Sequence, residues 1–177
     1  MRIISGNHKG RKILSSRRLP VRPTTDRAKE GLFNILNHQI KFEDLKVLDL
    51  FSGTGSISYE FASRGSLAVT ALDKNKNCID FIKKTSQNLK MDIKVIHQDA
   101  LSFLEQKKEK FNLIFADPPY DNKKEFYNKI ILLCSFNMSS SGLLILEHSK
   151  ILNFSNSIGF CFDRKYGNNV FSFFEFL

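Results

Sequence analysis

The sequence of 177 residues contains no tryptophan, four prolines and only three cysteines. Because Cys78, Cys134 and Cys161 stand far apart, they match neither a zinc-binding pattern nor a disulfide framework, and we expect reduced thiols and no metal. No apolar run has the length of a transmembrane helix, and the first residues lack the apolar stretch of a signal peptide. The composition therefore predicts a cytoplasmic protein with no membrane partner, and its length suits a single domain over residues 1–177.

Acidic residues are scarce in the first part of the chain. Residues 1–29 hold nine Lys or Arg and one acid, a net charge of +8, whereas the remainder holds 18 basic and 17 acidic residues. Gly6 and Gly10 indicate turns, so this segment is predicted to be a short hairpin or extended arm. A basic arm ahead of a nearly neutral core at residues 45–177 indicates contact with a polyanion. We expect the core to fold without residues 1–21.

A helix is predicted directly after the arm. Thr24 or Thr25 can cap its N-terminus, and Arg22, Arg27 and Lys29 surround that end. Cations are unfavourable near a helix N-terminus unless an anion is present, so these three basic side chains are predicted to face phosphate. The apolar face of the helix consists of Ala28, Leu32, Ile35 and Leu36.

The most informative stretch is Val47-Leu-Asp-Leu-Phe-Ser-Gly-Thr-Gly55, and it lacks the third glycine of a dinucleotide-binding fingerprint. Ser58 stands at that position and no Walker lysine follows, so NAD and nucleoside triphosphates are disfavoured. The apolar run predicts a buried parallel strand, and Gly53 and Gly55 predict a tight loop that a ligand can approach closely. A strand, a glycine loop and a helix form the unit at which open α/β sheets bind ligands.

Strands and helices alternate along the rest of the chain. The pattern predicts an α/β fold with a mostly parallel, Rossmann-like sheet of seven strands, helices on both faces and an antiparallel C-terminal hairpin. The hairpin turn is Tyr166-Gly-Asn-Asn169, and Ser139-Ser-Ser-Gly142 is predicted to be a turn before the fifth strand. The predicted strands after the first are 67–72, 93–96, 111–116, 143–147, 159–165 and 170–176, and the longer helices are 75–90 and 126–133.

The first four predicted strands all end in polar signals: the glycine loop, Asp73, Asp99 and Asp117-Pro-Pro-Tyr120. In a parallel sheet these ends lie on one edge, so signals that are distant in sequence converge on one crevice. Asp73 lies 18 residues beyond Gly55, close to the spacing at which an acid binds ribose. A carboxylate suits a ribose because it can accept hydrogen bonds from two neighbouring hydroxyls. Asp99 can face the exocyclic amine of an adenine.

These motifs resemble known enzymes. The glycine loop, Asp73 and Asp99 look like the cofactor site of Rossmann-like S-adenosylmethionine-dependent methyltransferases. Asp117-Pro-Pro-Tyr120 resembles the signature of enzymes that methylate exocyclic or amide nitrogens, in which Asp, Asn or Ser precedes Pro-Pro and an aromatic residue. One departure is Asp73, which stands where glutamate is usual and therefore has a shorter reach.

Four N-terminal motifs narrow the resemblance to one family. Together with the loops, they make the chain similar to RsmD-type 16S ribosomal RNA guanine-N2 methyltransferases, from about residue 2 to the terminal hairpin. This set separates the RsmD type from other enzymes that carry Asp-Pro-Pro-Tyr. The motifs are Arg2-Ile-Ile-x-Gly, Gly10-Arg-Lys, Arg22-Pro-Thr-x-Asp-Arg27 and Leu32-Phe-Asn.

The resemblance implies methyl transfer from S-adenosylmethionine to N2 of a guanine in 16S ribosomal RNA, in the small ribosomal subunit or an assembly intermediate. It also implies a monomer and gives three sets of site residues. The cofactor-binding set is Asp49, Phe51, Gly53, Gly55, Asp73, Asp99 and Ala100. The catalytic set is Asp117, Pro118, Pro119 and Tyr120. The RNA-binding set is Arg2, Lys9, Arg11, Lys12, Arg22 and Arg27.

The Asp-Pro-Pro-Tyr loop suits methylation of a purine amine, whose lone pair is delocalised into the ring. If the Asp117 carboxylate and the Pro118 carbonyl accept its two hydrogens, the nitrogen can pyramidalise and aim its lone pair at the methyl donor. Consecutive prolines stiffen the loop, and Tyr120 can stack on a base taken out of its helix. The gain in rate would come mainly from orientation.

Other functions stay open. A DNA or other RNA amino methyltransferase that acts on adenine N6 or cytosine N4 would use the same loop, although no separate DNA target-recognition domain is evident. Protein-glutamine methyltransferases usually carry asparagine at the position of Asp117. A catalytically silent RNA-binding protein would need neither the glycine loop nor Asp117.

Overall fold

The computed structural model describes residues 1–14, 25–106 and 109–176. The helices in this part of the chain are α1 (Asp26–Asn37), α2 (Ser56–Ser63), α3 (Lys76–Leu89), α4 (Ala100–Glu105) and α5 (Lys124–Ser135), with a single 3-10 turn at Phe42–Asp44. The strands are β1 (Lys46–Asp49), β2 (Ala68–Asp73), β3 (Lys94–His97), β4 (Phe111–Ala116), β5 (Met138–Ser149), β6 (Phe160–Tyr166) and β7 (Asn169–Phe176). In those ranges, the helices are all too short or too polar to cross a bilayer.

The seven strands form one sheet in the order β3-β2-β1-β4-β5-β7-β6. Strands β1 to β5 are parallel, and β7 runs antiparallel between β5 and β6, which confirms the predicted fold. Because side chains alternate along a strand, Val47 and Leu113 pack in one core with α1 to α3, whereas Leu48 and Ile114 pack in another with α4 and α5. The strand order reverses between β1 and β4, and a crevice is expected at their carboxyl ends.

The turn predicted at Ser139-Ser-Ser-Gly142 is wrong, because β5 runs through this stretch. The register with β4 shifts there: Phe111 pairs with Met138, whereas Leu113, two residues on, pairs with Leu143. Extra residues on β5 are therefore accommodated in a bulge. The cluster of polar residues is typical of both a turn and a bulge, and only the pairing with β4 distinguishes them.

The N-terminal segment forms the predicted hairpin but is built into the core. Arg2 and Lys12 form an antiparallel bridge, and the side chains of Ile3 and Ile13 are 1% and 7% exposed. Both isoleucines pack in the core that α1, α2 and α3 share. This packing argues against the expectation that the core folds without residues 1–21, because their removal would expose apolar surface on those helices.

A buried carboxylate fastens the hairpin to α2. Glu60 is 0% exposed and accepts hydrogen bonds from the backbone N–H groups of Ile4 (2.8 Å) and Ser5 (3.0 Å). Arg64, one turn later, pairs with Glu60 at 2.9 Å through its Nη2 and donates a hydrogen bond of the same length through its Nε. The hairpin therefore depends on α2 for partners of its backbone, and α2 depends on the hairpin to satisfy a buried charge.

Lys29 joins α1 to the same network. Its ammonium lies 3.5 Å from Glu60 and donates to the carbonyl of Arg2 (2.6 Å) and the hydroxyl of Ser56 (3.2 Å). Burial lowers the pKa of Lys29, although the negative charges of Glu60 and Asp26 act in the opposite direction. The prediction that Lys29 faces phosphate is wrong, because only 1% of this residue is exposed.

Candidate active site

A cavity of about 1000 Å³ opens at the carboxyl edge of the sheet, at the reversal of strand order. The ends of β1, β2, β4 and β5 form its floor, and the start of α1 and the β6–β7 turn form its sides. Of the predicted cofactor and catalytic residues, Gly55 alone is not part of the lining. The others that line the cavity are Asp49, Phe51, Gly53, Asp73, Asp99, Ala100, Asp117, Pro118, Pro119 and Tyr120.

The glycine loop has the backbone that its residue types predict. Gly53 and Gly55 have positive φ values of 50° and 81°. A Cβ on Gly55 would lie 2.8 Å from the ring of Tyr59, so glycine is needed there to let α2 start close beneath the loop. The N–H of Gly53 donates to Asp73 Oδ2 at 2.8 Å, which fixes the loop against the end of β2.

Asp49 lies under the glycine loop and holds the first turn of α2. Its Oδ2 accepts hydrogen bonds from the backbone N–H (3.1 Å) and the hydroxyl (2.6 Å) of Ser58. Burial raises the pKa of Asp49 to about 7, and the charge of Asp73 adds to the rise, while the bonds from Ser58 oppose it. Ser58 therefore stands in place of the third glycine because its hydroxyl satisfies a buried carboxylate.

The two acids that follow β2 and β3 differ in their surroundings. Asp73 is partly exposed, and its Oδ1 accepts from the N–H of Asn75 at 2.8 Å, so each carboxylate oxygen has one backbone partner and room for another. Asp99 is exposed and caps α4, with Oδ1 accepting from the N–H of Ser102 at 3.0 Å. Ala100, next to it, is buried and lines the cavity.

Asp117 follows β4 and lines the cavity close to two other acids. Desolvation raises its pKa well above the ordinary value, and the negative charges of Glu147 and Asp49 raise it further. A carboxyl group held in this way has a high affinity for a proton or for a positively charged neighbour. Asp117 is therefore suited to accept a hydrogen from a substrate.

The two prolines after Asp117 have different hydrogen-bonding roles. The carbonyl of Pro119 accepts from the side-chain amide of Asn122 at 2.7 Å and from the hydroxyl of Tyr127 at 3.4 Å. No side-chain donor to the carbonyl of Pro118 is found in the described part of the chain. Pro118 lines the cavity, whereas the bonds to Pro119 fix the shape of the loop.

Sequence reasoning missed part of the site. Glu147, at the end of the apolar part of β5, lines the cavity and accepts a hydrogen bond from the Tyr120 hydroxyl at 3.0 Å. It follows an apolar run just as Asp73 and Asp117 do, so the strand-end argument could have found it if applied to the fifth strand. The turn from Lys165 to Asn169 also lines the cavity, and no local motif indicated that.

Thr25 caps α1 as predicted, with its hydroxyl accepting from the N–H of Ala28 at 3.2 Å, and both residues line the cavity. Arg27 also lines it, as do Lys74 and Lys165, which were not predicted as part of the site. Arg22 and Thr24 lie outside the described residues. The other predicted RNA contacts are exposed residues of the hairpin that do not line the cavity: Arg2, which pairs with Asp26 at 3.4 Å, and Lys9, Arg11 and Lys12.

Comparison with known proteins fits this geometry. The family described as Conserved hypothetical protein 95 matches residues 1–175. The chain belongs to this RsmD-type family. The Ribosomal RNA small subunit methyltransferase D of Haemophilus influenzae is 38% identical over 157 residues, which cover 85% of this chain and 79% of that protein.

Solved structures agree with the fold of this RsmD-type protein. The Escherichia coli protein yhhF superposes with a TM-score of 0.84 at 28% identity, covering 99% of this chain and 97% of that one. A 16S rRNA guanine-N2 methyltransferase from Thermus thermophilus, in complex with AdoMet and guanosine, gives a TM-score of 0.72 at 18% identity, covering 87% of this chain and 44% of that one. The second likeness is one of fold alone.

S-adenosylmethionine is the cofactor of such methyltransferases, and the cavity of this RsmD-type chain fits it. The volume of about 1000 Å³ leaves room for the cofactor and a base. The lining contains five acids. Burial raises the pKa of Asp49 and Asp117, and the charges of neighbouring acids raise it further, so a sulfonium cation would be favoured there. The residues that would hold the cofactor are the glycine loop, Asp73 and Asp99.

We expect Asp73→Ala to weaken S-adenosylmethionine binding by about 1–3 kcal/mol, because the N–H of Gly53 loses its partner and the predicted acceptor of the ribose hydroxyls is removed. Titration calorimetry measures this directly. Asp92→Ala is the matched control, since Asp92 is exposed and lies outside the cavity lining. Equal affinities for the two variants would remove Asp73 from the cofactor site.

Proposed function

We propose that this chain transfers a methyl group from S-adenosylmethionine to the exocyclic N2 of a guanine in 16S ribosomal RNA. The observation that carries the proposal is a single cavity that holds both the glycine loop with Asp73 and the Asp117-Pro-Pro-Tyr120 loop. The name of the Haemophilus influenzae relative supports small-subunit ribosomal RNA as the partner. The guanosine complex of the Thermus thermophilus neighbour supports the base at the level of the fold.

The residues of the Asp-Pro-Pro-Tyr loop would aim the amine. Bound S-adenosylmethionine supplies an electrophilic methyl group on a positively charged sulfur. The Asp117 carboxylate and the Pro118 carbonyl accept the two amine hydrogens, which turns the nitrogen lone pair out of the plane of the base. Pro119 is engaged by Asn122 and so keeps the loop in shape. The rate gain comes mainly from this orientation.

Asp117 is also the group that would receive the proton released on methylation. Since its pKa is raised, the carboxyl is protonated at low pH and cannot take that proton. Turnover is therefore at its maximum above the raised pKa of Asp117, and it is lost as the pH falls through that pKa. This dependence on pH appears in kcat, because kcat reports the ionisation of groups in the substrate-saturated enzyme.

The exposed basic residues of the N-terminal hairpin would contact RNA phosphates. We expect the double change Lys9→Gln and Arg11→Gln to lower the slope of log affinity against log salt by about 1–2 units, since each phosphate contact contributes about 0.7–0.9. Filter binding of small-subunit RNA at several salt concentrations gives the slope. Changing the exposed Lys83 and Lys84 of α3 to Gln removes the same charge elsewhere. If both pairs alter the slope equally, the hairpin has no special role.

The function is tested by mapping methylated nucleosides in 16S ribosomal RNA from cells with and without this protein, using mass spectrometry. Loss of one N2-methylguanine, restored by the unaltered chain, is the expected result. An unchanged 16S map with loss of N6-methyladenine or N4-methylcytosine elsewhere would favour the alternative amino methyltransferase. A silent RNA-binding protein would leave every map unchanged.

The remaining aspects of the proposal follow from the substrate. We propose an assembly intermediate of the small subunit as the form of the substrate, and the cytoplasm as the place of the reaction. We propose a monomer organised as one catalytic domain with an RNA-contacting hairpin. Sedimentation of the purified protein measures the oligomeric state.

A further inference from the structure

Glu147 connects two walls of the cavity. It is 1% exposed and lies where β5 reaches the carboxyl edge of the sheet. Its Oε1 accepts a hydrogen bond from the Tyr120 hydroxyl at 3.0 Å and another from the side-chain amide of Asn169 at 2.5 Å. Tyr120 belongs to the loop after β4 and Asn169 begins β7, so one carboxylate holds two segments that are almost fifty residues apart.

We propose that Glu147 is a positioning residue for methyl transfer: it holds the Tyr120 ring as one face of the target-base slot and places a fixed negative charge beside Asp117. The inference rests on the proposed function and deepens it. Glu147 acts through Tyr120 and Asp117 and does not itself touch the base.

The bond to Glu147 sets the orientation of Tyr120. Its hydroxyl points inward to Glu147, yet 44% of the residue is exposed, so the ring presents a surface to the cavity. A tyrosine whose hydroxyl is bonded inward is not a donor to substrate, and its remaining function is stacking. Glu147 fixes the plane in which that stacking takes place.

The β6–β7 turn also lines the cavity and is held by Glu147. Asn169 is held by Glu147, and the preceding Tyr166 packs against α1 at Gly31, where a Cβ would lie 2.3 Å from the tyrosine ring. The turn between these residues therefore has two anchors, one on β5 and one on α1. Tyr120 and this turn both line the cavity, and their bonds to one carboxylate fix them relative to each other.

The charge of Glu147 acts on Asp117. In the described part of the chain, Asp49 from β1 acts on Asp117 together with Glu147. Burial and the charges of Glu147 and Asp117 raise the pKa of the nearby Tyr120 and Tyr127 hydroxyls. Burial is the largest cause of the raised pKa of Asp117, and the charge of Glu147 raises it more than the charge of Asp49 does. Removal of the Glu147 charge should lower that pKa and keep Asp117 ionised at lower pH.

The test separates charge from shape. Glu147→Gln retains an oxygen that can accept from Tyr120 and Asn169 but carries no charge. We expect the carboxyl resonance of Asp117, followed by ¹³C NMR without cofactor, to titrate roughly 1 pH unit lower in this variant. The acidic limb of kcat should move in the same direction. Glu109→Gln removes an exposed charge and should shift neither. An unchanged titration of Asp117 in Glu147→Gln overturns the inference.

Tyr120→Phe removes the hydrogen bond to Glu147 from its other end, and so tests whether the position of the ring matters. This variant remains informative if Glu147→Gln does not fold. The ring is kept and its anchor is lost, so we expect KM for small-subunit RNA to rise about fivefold with S-adenosylmethionine affinity unchanged. A lowered melting temperature with unchanged KM and kcat would mean that the bond is only structural, which overturns the positioning role. If the unaltered protein methylates no RNA, the proposed function fails, and the Asp117 titration still decides the role of Glu147.

Discussion

Replacing Asp117 with asparagine is expected to lower kcat by about 100- to 1000-fold while S-adenosylmethionine affinity changes less than about twofold, because the other four acids of the lining remain to favour the sulfonium. Asparagine keeps the size of the side chain and one acceptor oxygen, but it has no charge and cannot take up a proton. Its amide also brings two hydrogens toward the target amine, which has hydrogens of its own. The loss should therefore fall on the chemical step and spare cofactor binding.

Single-turnover methylation of small-subunit RNA and calorimetry with S-adenosylmethionine measure the two quantities separately. Asp121→Asn is the matched control, since Asp121 is an exposed acid in the same loop and outside the cavity lining. It should leave both quantities near those of the unaltered protein. A parallel loss of turnover and cofactor affinity in Asp117→Asn would move this residue into the cofactor site, and near-normal turnover would end its catalytic assignment.

Much of the cavity follows from local signals that the sequence carries in order. The strand β4 at Phe111–Ala116 is the one whose predicted bounds match the structure, because its apolar run is closed by Asp117-Pro-Pro, which cannot continue a central strand. Parallel topology then brings Asp73, Asp99 and Asp117 together without knowledge of any contact. The grouping of these acids around one cavity was predictable for this reason.

The features that sequence reasoning missed depend on contacts between distant residues. Nothing near Lys29 in the sequence reveals that Glu60 lies 3.5 Å from it, so a buried cation resembled a phosphate contact. The bulge in β5 is defined only by its register with β4. The place of the β6–β7 turn depends on the packing of Tyr166 at Gly31, which is more than a hundred residues away in the chain.

The largest effect on stability is expected from Glu60→Ala, which should lower the free energy of unfolding by about 3–5 kcal/mol. The change leaves the buried ammonium of Lys29 without its counter-ion and two backbone N–H groups of the hairpin, at Ile4 and Ser5, without acceptors. Arg64 also loses the carboxylate with which it forms two contacts. A buried charge that loses its partner costs far more than an exposed pair contributes.

Thermal unfolding of Glu60→Ala should show a midpoint lowered by about 6–20 °C, on the scale expected for a chain of this size. Glu105→Ala is the control, because Glu105 also pairs with a lysine, Lys129 at 3.0 Å, but both side chains are about half exposed, so its loss should change stability by less than about 1 kcal/mol. S-adenosylmethionine affinity should fall with Glu60→Ala as well, since Lys29 also bonds Ser56 in the first turn of α2. Equal midpoints for the two variants would mean that the buried contacts of Glu60 stabilise the fold no more than an exposed ion pair does.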